Sequence, residues 1–83
     1  MANLTIRLST SGQEFTANDV DFSQTTPQQI IDNMHGVLPE AGAGMTWRML
    51  KGAQVVDQNV PLEELGFQDG DTAELMTKVA GAF

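Results

Sequence analysis

The stretch Thr26-Pro27-Gln28-Gln29 carries the strongest local signal in this 83-residue sequence. The threonine is a good N-cap, the proline suits the first position of a helix, and the second glutamine stands where its side chain can complete a capping box. Apolar residues then recur at helical spacing on one face, namely Ile30, Ile31, Met34, Val37 and Leu38. We therefore expect one amphipathic helix that ends at Gly36 or at Pro39.

Two strands are predicted before this helix. Every second residue from 4 to 8 is apolar, which is the period of a strand with one buried face. A run of turn formers leads into a second, less regular strand over residues 13–22. Because Phe15 and Val20 are an odd number of residues apart, a bulge near Asn18-Asp19 is needed to bury both.

Three further strands are predicted after the helix. The connector, residues 39–44, is too short to join two domains. Alternation from Met45 to Met49 predicts a third strand, and Val55-Val56 a short fourth. A single helical turn over residues 61–67 and a last strand over 72–79 complete the order. The simplest common core for these elements is one sheet packed under one helix, an α+β fold.

The third strand leaves its register open. In one register, Met45, Trp47 and Met49 face inward. Arg48 and Leu50 then lie on the open face of the sheet. A shift of one residue turns Leu50 inward and exposes Trp47 and Met49. Alternation within the strand favours Trp47 as a core residue.

Composition excludes several classes of function. Four Lys and Arg residues against eleven Asp and Glu residues give a net charge of -7. Binding to a phosphate backbone or an anionic membrane needs clustered cations, so we expect neither nucleic acid nor membrane as a partner. No targeting segment and no membrane-spanning run of about 18 apolar residues is visible, so we expect a soluble, cytoplasmic protein.

The candidates for catalysis or metal binding are weak. The sequence has no cysteine, and its only histidine, His35, falls in the predicted helix. Asp69, Asp71 and Glu74 lack the spacing of a calcium loop. No serine stands at a recognisable spacing from a histidine and an acid. We therefore expect no enzyme, no catalytic residue, no metal site and no cofactor.

The order of the elements and two stretches of sequence resemble the ubiquitin-like β-grasp family. The first stretch is Lys51-Gly52-Ala53-Gln54-Val55-Val56-Asp57, which matches a glycine turn of that family. The second runs from Leu62 to Thr72, where the family has a short helix and a Gly-Asp turn. The resemblance covers essentially the whole chain. It implies a mixed sheet of four to five strands packed on one helix, with the domain at 1–79 and a flexible tail at 80–83.

The end of the chain also carries a resemblance. Val79-Ala80-Gly81-Ala82 is similar to the Val-x-Gly-Gly ending of the bacterial sulfur carriers of thiamine and molybdopterin synthesis, and ubiquitin also ends in Gly-Gly. Here Ala82 stands where the terminal glycine would be, and Phe83 follows it. The resemblance implies a bacterial ubiquitin-like modifier in which Gly81, Ala82 and Phe83 form a processing and conjugation site.

The partners implied by this resemblance are enzymes. A JAMM-type zinc protease is expected to cut after Gly81, an activating enzyme to adenylate the new carboxylate, and a conjugating enzyme to pass it to a target through an isopeptide bond. Lys78 falls where ubiquitin has a tail arginine that its activating enzyme reads. The resemblance thus implies that Lys78, Val79 and Ala80 are recognised by the activating enzyme.

A surface for partners is implied by the same comparison. Aligned through Gly52, Met49 falls where ubiquitin carries its central recognition isoleucine, and Met76 falls near the matching valine. The expected partner surface is therefore the open sheet face around Arg48, Met49, Leu50 and Met76.

Two alternatives remain at this point. The YukD/EsaB-like group shares the fold, is associated with type VII secretion and needs no diglycine, so the protein could act as a non-covalent subunit through its surface alone. A sulfur carrier is the other alternative, in which the activated carboxylate becomes a thiocarboxylate.

Overall fold

Five strands and one helix make up the described part of the chain. The computed structural model describes residues 1–40 and 42–79, so the predicted tail at 80–83 lies outside it. The elements are β1 (Ala2–Leu8), β2 (Glu14–Val20), α1 (Pro27–Asn33), β3 (Met45–Lys51), β4 (Gln54–Val55) and β5 (Thr72–Val79). The strands form one sheet in the order β2-β1-β5-β3-β4. Because β1 and β5 are parallel and the other pairs antiparallel, the sheet is mixed, as predicted.

The β1–β2 hairpin contains the predicted bulge. Leu4 pairs with Ala17 and Ala2 pairs with Val20, so β2 holds one extra residue between the two pairs. Asp19 takes a positive φ of 56° inside this interval. The extra residue restores the alternation, and Phe15 and Val20 both pack against the core as a result.

Helix α1 begins as the sequence indicates and ends earlier than expected. The Gln29 N–H donates to Thr26 Oγ1 at 3.2 Å, and the Thr26 N–H donates to Gln29 Oε1 at 3.1 Å, which confirms the capping box. After Asn33, bonds that span three residues, as from the Val37 N–H to the Met34 carbonyl at 2.9 Å, occur beside one that spans four, from the Leu38 N–H to the same carbonyl at 2.9 Å. Val37 is 59% exposed beyond the end of α1, so its predicted place on the buried face is wrong.

The burial of side chains in the core shows which residues of β3 face the interior. Trp47 is 8% exposed and Met49 is fully buried, so both face α1 and the interior. They pack in one cluster with residues of β1, β5 and the loop before β5, chiefly Leu4, Ile6, Leu62, Phe67 and Leu75. The Trp47 Nε1–H donates to the Pro39 carbonyl at 3.0 Å and fastens the connector to the sheet. The predicted core position of Trp47 is confirmed.

The loop between β4 and β5 closes the far end of the core. Its backbone N–H groups at Leu62 and Glu63 donate to the carbonyls of Thr25 and Phe22, each at 2.9 Å, which ties it to the start of α1. The Leu65 N–H donates to the Pro61 carbonyl at 3.2 Å, so the predicted single turn is present. Within the described residues, no helix has the length and apolar character that crossing a membrane requires.

Candidate functional site

The sheet has one face covered by α1 and one face open to solvent. Because Trp47 and Met49 point to the covered side, the residues between and beside them on β3 point to the other. The β3–β5 ladder pairs each of them with a residue of β5 on that same side. The centre of this open face is therefore formed by three ladder pairs, Thr46 with Lys78, Arg48 with Met76, and Leu50 with Glu74.

An apolar patch lies at the middle of the open face. Leu50 is only 8% exposed, although it lies on the side opposite the main core cluster. Val55 of β4 pairs directly with it, and half-buried Met76 follows on β5. Leu50, Val55 and Met76 together make an apolar patch that a partner could cover. We name these three residues the open-face patch.

Met49 does not belong to this surface. It is fully buried on the covered side of the sheet, so its predicted place on the open face is wrong. The alignment through the glycine turn is therefore one residue out of step at this position. With a side-chain period of two, a shift of one residue exchanges the faces, and Leu50 takes the central position instead.

Two cations border the open-face patch. Lys78 pairs with Thr46, and Arg48 is the next residue of β3 on the same face, so Lys78 and Arg48 are diagonal neighbours across the ladder. Arg48 is half-buried, and its Nη1 donates to the Trp47 carbonyl at 3.2 Å and to Thr46 Oγ1 at 3.4 Å. These bonds hold the guanidinium against the strand. A groove of about 850 Å³ beside the patch is lined by Arg48, Lys78 and residues 53–59, which include β4.

The charges of the protein are divided unevenly between its surfaces. Three of its four cations, Arg7, Arg48 and Lys78, lie on the open face of the strands, together with two of its eleven carboxylates, Glu14 and Glu74. Arg7 and Glu74 form an ion pair at 3.9 Å that is too exposed to add much stability. The other residues carry nine carboxylates and one cation, so the open face is weakly positive on a strongly acidic protein. Such an asymmetry orients a charged partner during encounter.

The structure describes only two of the predicted recognition and processing residues. Lys78 is half-buried on the open face, and Val79, 60% exposed, closes β5 opposite Met45. Ala80, Gly81, Ala82 and Phe83 lie outside the described residues.

The weak candidates for chemistry form no common site. Over residues 1–40 and 42–79, no group of three or more His, Cys, Asp or Glu side chains is arranged to hold a metal. Asp69 Oδ1 accepts the Asn3 N–H at 2.8 Å, and Asp71 Oδ2 accepts the Gln68 N–H at 2.9 Å. Both carboxylates thus fasten the turn into β5. His35 is exposed beyond the end of α1.

One carboxyl has a perturbed pKa for a local reason. The Ser23 hydroxyl donates to Asp21 Oδ1 at 2.6 Å, and the Ser23 N–H donates to the same oxygen at 3.0 Å. Because both bonds favour the charged form, they lower the pKa of Asp21. The group shapes the turn before α1 and does not reach the open face.

Sequence reasoning missed two residues that shape this surface. Val55 had been given only a place in a short strand, and its pairing with Leu50 makes it part of the open-face patch. Gln58 is a buried amide whose side chain bonds to the backbone of β3. Alternation with Val56, which packs against the core, could have placed Val55 on the opposite face. No sequence pattern signals the role of Gln58.

Comparisons with known proteins agree on the fold. No protein-family model and no curated protein matches the sequence. The chain is similar in structure to the UBL domain of Plasmodium falciparum Dsk2, with a TM-score of 0.72 and 17% identity over 93% of this chain and 97% of that one. A structure described as molecular mimicry of SUMO that promotes DNA repair gives 0.67 and 17% identity over 89% and 88%.

A third similar structure is a computationally designed protein based on the template of human erythrocytic ubiquitin. It gives a TM-score of 0.67 and 21% identity over 100% of this chain and 99% of that one. At these identities the likeness concerns the fold. The chain has the ubiquitin-like β-grasp fold, and the resemblance seen in the sequence is confirmed at that level.

Proposed function

We propose that this protein is a ubiquitin-like modifier of the bacterial type, a substrate of other enzymes that catalyses no reaction itself. The observation that carries the proposal is the place of Lys78. It lies beside Arg48 on the open face, at the end of the central strand β5, and three residues before Gly81. An enzyme that grips this pair of cations can direct the chain that follows β5 into its own active site.

The proposed chemistry takes place on the carboxylate of Gly81. A JAMM-type zinc protease adds water across the Gly81–Ala82 amide, leaving a carboxylate on Gly81 and an amine on the released segment. A carboxylate oxygen then attacks the α-phosphorus of ATP in the activating enzyme, and pyrophosphate leaves. A cysteine thiolate displaces AMP from the acyl-adenylate. An amine of the target finally displaces the thiolate and forms an isopeptide bond, with a conjugating enzyme holding the thioester.

The residues after β5 suit this sequence of steps. A glycine, as at position 81, has no side chain and can adopt backbone conformations that other residues avoid, which suits passage through a narrow channel. Phe83 is bulky and does not fit a channel shaped for a small residue. Processing after Gly81 therefore comes before activation.

Intact-mass measurement of the protein recovered from its native cell tests the proposal. We expect one species that ends at Gly81, together with heavier species in which that end is joined to another protein. Gly81→Val should abolish both, because a β-branched residue blocks the two clefts. Gly36→Val is the matched control, since Gly36 lies in open space without a positive φ. Finding only chains that retain Phe83, with no conjugate when the partner enzymes are present, overturns the proposal.

A non-covalent interaction subunit, of the YukD/EsaB-like kind, is the second candidate. The open-face patch favours it, because an apolar surface with bordering cations can bind a partner without any use of the tail. Chemical-shift mapping with a captured partner separates the two candidates. Shifts centred on Leu50 and Met76, unchanged when the chain is truncated after Val79, support the second. Both candidates place the protein in the cytoplasm and need neither nucleic acid nor membrane.

A further inference from the structure

A second groove, of about 800 Å³, lies along the outer edge of β3, between this strand, α1 and the connector. Ile31 and Trp47 form its buried lining, and half-buried Leu38 adds a third apolar side chain. Asp32 and Glu40 line it as exposed carboxylates. Among the described residues no lysine or arginine lines this groove. It is therefore apolar inside and acidic at its margin.

Among the described residues, no strand pairs with β3 beside this groove. β4 pairs only with Leu50 and Lys51, and the side chain of Gln58 covers the next outward residue, Met49. Since backbone groups alternate between the two edges of a strand, the N–H and C=O of Trp47 point to the same outer edge as those of Met49. The Trp47 carbonyl accepts one bond from Arg48 and keeps a second lone pair.

We propose that this groove binds an extended basic peptide segment of a partner protein. The segment adds a strand beside Trp47, places an aliphatic side chain against Ile31 and Leu38, and sets a lysine or arginine between Asp32 and Glu40. This inference is independent of the proposed function, because it uses neither the open-face patch nor the residues after Val79.

Charge complementarity favours a basic segment over an acidic one as the occupant of the groove. Asp32 is held in place by a hydrogen bond from Gln28 Nε2 at 3.0 Å, and Glu40 follows Pro39, whose carbonyl is bonded to Trp47 Nε1. The nearest described cation is that of Arg48, which lies at the Trp47 carbonyl outside the lining of the groove. A cation between the two carboxylates is attracted by both, whereas an acidic segment would face them within a protein of net charge -7. Pairing to an open strand edge supplies affinity from the main chain, and the pocket beside it supplies the selection.

The probe for this proposal is the peptide acetyl-Ser-Val-Ser-Arg-Ser-Val-Ser-Arg-amide. In an added strand its valines and arginines share one side, toward the groove, and its serines face the other. Titration into the isotopically labelled protein should shift the amide of Trp47, its indole N–H and the amides of Asp32 and Glu40. The same peptide with glutamate in place of arginine should produce no saturable shift.

Matched variants test the role of the two carboxylates. Asp32→Asn together with Glu40→Gln should weaken binding of the arginine peptide about five- to tenfold, as two partly exposed ion pairs would. Glu63→Gln with Glu64→Gln removes the same charge from exposed positions outside the groove and should leave the affinity within about twofold.

Four outcomes overturn the inference. The first is an absence of shifts at millimolar arginine peptide, and the second is equal binding of the glutamate peptide. The third is an equal loss of affinity in both double variants. The fourth is a set of groove shifts that appears on raising the protein concentration alone, with a doubled mass in sedimentation, because a second copy of the chain would then be the occupant.

Discussion

The side-chain amide of Gln58 takes the place of a neighbouring strand at Met49. Its Oε1 accepts the Met49 N–H at 3.0 Å, and its Nε2 donates to the Met49 carbonyl at 3.5 Å and to the carbonyl of Val56. The Val56 N–H also donates to the Met49 carbonyl, at 3.2 Å. One buried amide thus supplies hydrogen bonds to the edge of β3 at a position that β4 does not reach. This edge separates the open-face patch from the groove beside α1.

Replacing Gln58 should destabilise the fold. In Gln58→Ala the Met49 N–H loses its acceptor inside the protein, and a buried unsatisfied group costs about 1–3 kcal/mol of unfolding free energy. Chemical denaturation measures the loss, and hydrogen exchange of the Met49 amide should become faster. Gln54→Ala, with an exposed side chain on β4, should change stability by less than about 0.5 kcal/mol. Equal effects of the two substitutions would show that the buried amide has no special role.

Two apolar residues of the predicted helix face should behave differently. Ile30 is 5% exposed, and Ile30→Ala should cost about 2–5 kcal/mol, since it leaves a cavity in the core. Val37 is 59% exposed, and Val37→Ala should cost less than about 0.5 kcal/mol. Urea denaturation of both variants checks the assignment. A loss under 1 kcal/mol for Ile30→Ala would mean that α1 packs on the sheet by another face.

The contrast between these residues shows what the sequence could predict. Thr26, Pro27 and Gln29 act on their immediate neighbours, so the start of α1 followed from local chemistry. The end of α1 had no comparable signal, because Gly36 and Pro39 were both plausible stops. The helix ends at Asn33, before either of them, and hydrogen bonds that span three or four residues follow it.

The open face was predictable in part, because the alternation of side chains within a strand is also a local property. Alternation within β3 correctly favoured Trp47 as core, and Arg48 and Leu50 on the open face follow from it. The alignment to ubiquitin through the glycine turn carried a shift of one residue, which placed Met49 on the wrong face. Gln58 could not be foreseen, because its role depends on a loop returning to a strand nine residues away.

Acid should weaken the turn that precedes α1. The two hydrogen bonds from Ser23 lower the pKa of Asp21 below its ordinary value of 3.8. A lowered pKa means that the bonds stabilise the folded state above the unfolded pKa, and that this stabilisation disappears as the pH falls through the folded pKa. NMR titration of the Asp21 carboxyl measures the shift. Ser23→Ala should raise the midpoint toward the ordinary value, and Ser11→Ala should leave it unchanged.

Reversing the charge of Lys78 should impair activation and leave the fold intact. The side chain lies beside Arg48 on the open face, so Lys78→Glu replaces an attraction to the activating enzyme by a repulsion. We expect kcat/KM for ATP–pyrophosphate exchange on the chain ending at Gly81 to fall about tenfold or more. Lys51→Glu makes the same charge change at the exposed end of β3 and should lower it less than about threefold. Both variants should unfold within about 0.5 kcal/mol of the parent. Equal losses in the two variants would show that the effect depends only on net charge. An unchanged rate for Lys78→Glu would show that this residue is not part of the recognition site.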